Sequence, residues 1–241
     1  MHHEFRPACN LPAGRNEVRV SAIVPAYNEE KWVGETVQAL RKLKEVDEII
    51  VIDDGSMDKT ALRARKAGAW VCRFDRNRGK SQALRRGAYW ARGEILAFVD
   101  ADLGESALEF SRLIASILAD EADMAIGFFR APKRRTGLGL VKLLANWGIR
   151  HYTGQNMVAP LSGQRVLKRC LWDALLFEAE GFAAEVALTI ESINKGFRVK
   201  EIPVQMRHRC WGNSFRGFLH RGTQFYAILK LLWPGRYSYL H

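Results

Sequence analysis

Five short apolar runs, separated by stretches with helical periodicity, fill the first half of the chain and leave few ways to fold it. They lie at 18–25 (VRVSAIVP), 48–52 (EIIVI), 69–74 (AWVCRF), 95–99 (ILAFV) and 123–128 (DMAIGF). Between them, helical spacing marks 31–43, 58–67, 80–91 and 105–119, with Leu108, Leu113, Ile114, Ile117 and Leu118 sharing one side of the last. Strands that are apolar along their whole length are buried on both faces, and their alternation with helices predicts an α/β fold with a mostly parallel sheet. At 241 residues and 48% hydrophobic, with no internal repeat or low-complexity linker, the chain suits one compact domain.

The second half has another character. From Met124 to Trp172 there is no acidic residue, while Arg130, Lys133, Arg134, Arg135, Lys142, Arg150, Arg165, Lys168 and Arg169 all fall there. A helix is expected near 140–151, a strand at 162–168 (SGQRVLK), helices near 168–177 and 184–195, and a strand pair or bent strand at 197–208. Residues 214–233 read as an amphipathic helix, its apolar face destined either for the domain's own core or for a headgroup layer. The net charge of +11 and the pI of about 9.7 point to anionic partners: nucleic acid, an anionic membrane surface or phosphorylated small molecules. Cys9, Cys72, Cys170 and Cys210 are scattered, which argues for a reducing cytoplasm and against a disulfide framework. The first 17 residues lack an apolar core, and no run of about 18 apolar residues occurs. A signal peptide, an anchor and a membrane span are therefore not expected.

Three strands end in acidic loops: PAYNEE after the first, DDGSMD after the second and DADLGE after the fourth. Each has a plain local explanation. Asn28 could cap a helix, Ser56 or Asp58 the next one, and Asp102 with Glu105 could form a capping box. Together they gather carboxylates at one edge of one sheet, where ligands of open α/β folds bind. Carboxylates so crowded repel one another unless a cation sits among them. Asp100 and Asp102, two apart on an extended segment, leave the same side and suit a hard divalent cation that takes its remaining ligands from phosphate. Such an ion neutralises a departing diphosphate. No G-x-G-x-x-G follows the first strand and no G-x-x-x-x-G-K-[ST] occurs, so a nicotinamide site and a P-loop are not expected. Gly79 and Lys80 open a helix where N–H groups and an ammonium could meet phosphate. RNP1-like and G-x-x-G signatures are missing, so nucleic acid is not the expected partner.

In order and spacing, IVPAYNEE, VIDDGSMDKT, NRGKSQALRRG and FVDADL resemble the nucleotide-binding half of family 2 glycosyltransferases. The resemblance implies a GT-A fold: a single Rossmann-like mixed, mostly parallel sheet flanked by helices, with an acceptor-side C-terminal portion. It divides the chain into an extension (1–17), a GT-A domain (18–212, nucleotide half 18–104, acceptor half 105–212) and a C-terminal helix and tail (213–241). It implies that Pro25, Ala26, Tyr27, Glu29, Asp53 and Asp54 line the nucleotide, with Lys80 near the donor. Asp100 and Asp102 would form the D-x-D element for Mg²⁺ or Mn²⁺.

The second half resembles two branches. APLSGQRVL, EGFAAEVALTIE and MRHR look like glucosyl-3-phosphoglycerate synthases, in which a histidine near the position of His208 joins the metal. The polyprenyl-phosphate sugar synthases share an SG-x-R segment, which would place Arg165 in an acceptor-phosphate region. On its own residues, His208 could equally be a surface or packing residue. The implied reaction moves a hexose from UDP- or GDP-sugar to an anionic, phosphate-bearing acceptor. Asp102, Glu185 and Arg165 are its candidate catalytic residues, and Arg134, Arg135 and Arg165 its acceptor-phosphate contacts. For a hydroxyl acceptor of the cell envelope, Glu180 or Glu185 would be the base. The expected setting is the cytoplasm or the inner face of its membrane. A peripheral membrane contact, a homodimer and a non-catalytic basic binding module all stay open.

Overall fold

The computed structural model describes residues 18–129, 139–175 and 183–206, together with Cys9, Leu11 and Leu229. Seven strands form one sheet: β1 Val20–Ala26, β2 Glu48–Asp53, β3 Trp70–Arg73, β4 Ile95–Phe98, β5 Met124–Phe129, β6 Arg165–Lys168 and β7 Val199–Val204. Their order across the sheet is β3-β2-β1-β4-β6-β5-β7. The pairs β1–β2, β2–β3, β1–β4 and β5–β7 are parallel, while β6 runs antiparallel to both β4 and β5. The sheet is thus mixed and mostly parallel.

The helices are α1 Val33–Arg41, α2 Thr60–Lys66, α3 Lys80–Trp90, α4 Phe110–Leu118, α5 Gly139–Thr153, α6 Arg169–Ala174 and α7 Ala183–Asn194. Each strand sends alternate side chains to opposite faces, so two cores form. Val20, Ala22 and Val24 of β1 meet Val33, Val37 and Leu40 of α1, with Phe110, Leu113 and Ile117 of α4 in the same cluster. Ile23, Ile50 and Ile52 point the other way, into the cluster that holds Ala83 of α3, Ile149 of α5 and Val186 of α7.

Several local expectations are corrected. The segment expected as one helix over 105–119 opens as a 3-10 helix, Gly104–Glu109, and becomes α only at Phe110. The buried Thr36 hydroxyl sets that opening: it donates to Ala101 O and accepts Gly104 N–H, both at 2.8 Å. Asn28 caps no helix; it sits at φ 56°, with its Oδ1 accepting Met57 N–H at 2.9 Å. Neither Ser56 nor Asp58 is the N-cap of α2, a position taken by Lys59. Of the strand pair or bent strand expected over 197–208, the described residues 197–206 hold one short strand, β7, in register with β5.

One part of the cysteine expectation is corrected: two of the cysteines are bonded. Cys9 and Cys170 form a disulfide with Cα atoms 5.7 Å apart. Nothing in their spacing shows it, since they are 161 residues apart in the chain. What joins them is the placement of β6 in mid-sheet, which carries Cys170 to the N-terminal segment, and Lys168, whose ammonium donates to Cys9 O at 3.1 Å. The expected amphipathic helix at 214–233 lies outside the described residues apart from Leu229. Among the described residues no helix is long and apolar enough to cross a membrane.

Candidate active site

The loops after β1, β2 and β4 meet at one sheet edge, and much of their acidity is spent on building them. Asp53 is 1% exposed; its Oδ1 accepts Ser56 N–H at 3.0 Å and its Oδ2 lies 3.3 Å from Arg73 Nε. Asp54 accepts the N–H groups of Arg78 (2.7 Å) and Gly79 (2.9 Å), which ties the β2 loop to the start of α3. Glu30 accepts Lys59 N–H at 3.1 Å, and Asp58 accepts Glu30 N–H at 3.1 Å. Burial opposes the charge of Asp58, yet its bonds from Thr60 and the Glu30 N–H hold it below the usual carboxylate range. Pro25 and Ala26 end β1 in register with Ile52 and Asp53, Tyr27 is exposed, and Glu29 N–H donates to Thr60 Oγ1 at 2.8 Å.

Gly79 is the N-cap of α3, and Lys80 begins the helix, which aims its ammonium across the edge. Lys80 Nζ lies 2.7 Å from Asp100 Oδ1 and 3.7 Å from Glu185 Oε1. Burial works against its charge, but those two carboxylates hold it above the ordinary lysine range. Lys80 is thus one cation set among the crowded carboxylates. Glu185, in the first turn of α7, is largely enclosed, and its Oε2 is buried with no hydrogen-bond partner among the described residues. Burial raises its pKa against the pull of Lys80 and Arg165. The acidic edge and α7 therefore meet at one ion cluster.

Arg165 departs from its expected role. It is 1% exposed and points inward: Nε donates to Ser162 O at 2.9 Å and one terminal nitrogen to Thr189 Oγ1 at 2.9 Å. Burial lowers the guanidinium to about 10, with Glu185 and Glu201 opposing that fall. Its Nη2 is buried and makes no hydrogen bond among the described residues, so a phosphate would meet this guanidinium in the interior and not at the surface. What it offers is a fixed positive charge behind Glu185 and a brace for the 162–164 turn. Arg134, Arg135, Glu180 and His208 lie outside the described residues.

Sequence reasoning missed Gln164 and Thr36. Gln164 is fully buried; its Oε1 accepts Asp100 N–H at 3.2 Å and its Nε2 donates to Asp100 Oδ2. Only the β4–β6 register, which sets Phe98 opposite Arg165, brings it there, and no spacing in the chain reports that pairing.

Among the described residues no group of three or more His, Cys, Asp and Glu side chains is arranged to hold a metal. The two hard carboxylates of Asp100 and Asp102 fit an ion that draws its other ligands from a bound diphosphate.

The family model described as "Glycosyl transferase family 2" matches residues 21–168. Glucosyl-3-phosphoglycerate synthase of Mycolicibacterium smegmatis is 30% identical, over 80% of this chain and 71% of its own. Dodecaprenyl-phosphate galacturonate synthase of Rhizobium johnstonii is 31% identical, over 57% of this chain and 44% of its own. The crystal structure of glucosyl-3-phosphoglycerate synthase from Mycobacterium tuberculosis, in complex with Mn²⁺, uridine diphosphate and phosphoglyceric acid, superposes with a TM-score of 0.76. It is 26% identical, over 91% of this chain and 80% of that one.

Proposed function

This chain belongs to glycosyl transferase family 2, and from that premise we propose that it moves a hexose from a UDP-sugar to a small acceptor bearing a phosphate. The observation that carries the reading is the convergence of Lys80, Asp100 and Glu185 where the nucleotide and acceptor halves meet. The uridine diphosphate and phosphoglyceric acid named for the similar mycobacterial structure support this choice of donor and acceptor.

In this reading Asp100 and Asp102 hold Mg²⁺ or Mn²⁺, which when bound neutralises charge on the departing diphosphate. Lys80 adds a second fixed positive charge at the same place. It is already aligned by Asp100, so little reorganisation accompanies bond breaking. Pro25, Ala26, Tyr27 and Glu29 would line the nucleotide, and Asp53 and Asp54 hold the shape of its pocket through the backbone of 56, 78 and 79. Glu185 sits with one oxygen toward Lys80 and the other unpaired among the described residues, suited to orient a hydroxyl of donor or acceptor. An acceptor phosphate oxygen is anionic at neutral pH and needs no strong base. A hydroxyl acceptor would need Glu185 ionised, which burial opposes and the neighbouring Lys80 and Arg165 favour.

One feature favours a polyprenyl-phosphate acceptor as a second reading. Leu140, Leu143 and Trp147 form an exposed stripe on α5, at 74%, 67% and 57% exposure. A lipid tail could lie there.

The test is a transfer assay with UDP-hexoses and Mn²⁺, run against 3-phosphoglycerate, its dephosphorylated form and a short polyprenyl phosphate. Product from phosphoglycerate alone is expected. Equal use of the dephosphorylated acid would refute a phosphate-bearing acceptor, and product from the lipid alone would move the assignment to the second reading.

A further inference from the structure

The amide of Gln164 bonds both the main chain and the side chain of one residue. Its carbonyl oxygen takes the Asp100 N–H at 3.2 Å, and its NH₂ group donates to Asp100 Oδ2. A carboxylate gripped in this way cannot rotate about its own backbone without breaking one of the two bonds. The other oxygen, Oδ1, carries Lys80 at 2.7 Å. The turn that delivers Gln164 is itself pinned. Ser162 Oγ donates to Gly127 O at 2.7 Å, Gly127 N–H donates to Gln164 O at 2.9 Å, and Arg165 holds Ser162 O. Gly163 completes the arrangement by leaving room: a Cβ there would stand 2.3 Å from Lys80 Nζ.

We propose that Gln164 is a positioning residue that orients Asp100 for the donor's divalent metal, with Gly163 reserving the space for the lysine that shares that carboxylate. The assignment rests on the reading of Asp100 and Asp102 as the metal-binding pair. Only a neutral amide fits the task at this position. It supplies a donor and an acceptor at once, whereas an ionised carboxylate accepts only and would repel Asp100. Removing it takes away two of the bonds that fix the carboxylate while Lys80 keeps Oδ1, so the effect falls on metal-dependent donor binding and spares the remainder of the nucleotide pocket.

Calorimetric titration of the full chain with UDP, in Mn²⁺ and again in EDTA, tests this without turnover. The variants are Gln164→Met, which keeps the volume without the polar atoms, Gln164→Glu and Gly163→Ala, with Asp102→Asn as the control. Gln164→Met and Gln164→Glu are expected to weaken UDP about tenfold in Mn²⁺ and less than twofold in EDTA. Gly163→Ala should weaken UDP in both conditions, because displacing Lys80 removes a diphosphate contact that needs no metal. An equal loss for Gln164→Met with and without Mn²⁺ would mean a structural residue and would overturn the proposal. Normal Mn²⁺-dependent affinity in Gln164→Met, alongside a weakened Asp102→Asn, overturns it as well. Normal affinity in both variants overturns the metal reading, and the role of Gln164 with it.

Discussion

Glu185 is the residue at which the proposed function and stability oppose each other. Its burial favours the protonated form, while Lys80 and Arg165 favour the charged one, and the net effect is a raised pKa. A group whose folded pKa exceeds its unfolded value costs nothing below the unfolded value. The cost appears as the pH rises through that value and is complete above the folded pKa. Glu185→Gln should therefore match the wild type near pH 4 and exceed it in Tm near pH 8. Transfer by the same variant should fall at least tenfold if Glu185 orients a reacting hydroxyl. Thermal melts across that range, paired with initial rates, check both halves. Asp100, Asp102 and Lys80 were legible from strand ends and a helix start, because their loops follow a regular βα alternation. Gln164 was not, because its importance lies in a partner 64 residues away across an antiparallel pairing.

Among the elements, α3 shows how closely the layers approach. It crosses β1 at Gly87, where a Cβ would come within 2.3 Å of Ile23 Cγ2. Gly87→Ala should lower stability by about 1–3 kcal/mol through overpacking, measured by urea unfolding with an unchanged m value. An unaltered midpoint would show that the helix can shift outward at no cost. At the far end of β6, Lys168 is 1% exposed and bonds Asp120 (2.7 Å) and Asp123 (2.8 Å), while Arg198 pairs with both acids. Burial would raise Asp123, but the bonds from Arg198 and Lys168 bring it down to about 2. The stabilisation is therefore complete above the ordinary value near 3.8 and is lost as the pH falls toward about 2. Asp123→Asn should cost about 3 kcal/mol at pH 7, because it leaves a buried ammonium short of a partner. It should also flatten the acid limb of a stability–pH curve. The first five strands and four helices could be read from apolar periodicity. The direction of β6 could not: a short run buried on both faces looks alike whichever way it runs.

For the molecule as a whole, charge and covalent connection are unevenly distributed. Residues 59–92, which build α2, β3 and α3, carry eleven Lys and Arg against a single acid, Asp75. Trp70, Tyr89 and Trp90 are exposed on the same flank, with neighbouring ring centroids 5.4 and 5.6 Å apart. The basic character read from the second half of the sequence is thus matched by a second basic stretch in the first half, folded around the edge strand β3. At low salt, Arg86→Gln with Arg92→Gln should reduce partition onto anionic vesicles by roughly tenfold or more, at ~1 kcal/mol per cation. Undiminished sedimentation with the vesicles would assign their attraction to another surface. The Cys9–Cys170 bond gives a further expectation. Dithiothreitol should lower the unfolding free energy by about 2–4 kcal/mol, with two thiols more than before titrating under denaturant. No change in either would mean that the two thiols lie side by side unbonded.

The sheet order also has a consequence in time. β1 to β4 lie together in sequence, and a chain emerging from the ribosome can pair them first. One side of β4, an apolar strand buried along its full length, must then wait for β6, which does not exist until Lys168 has been made. Through that interval β4 is an exposed edge, open to the wrong neighbour. Gln164 arrives with β6, so Asp100 gains its orientation only when that edge closes. The first four strands cannot finish Asp100 alone: its orientation waits on the strand that the chain makes sixth.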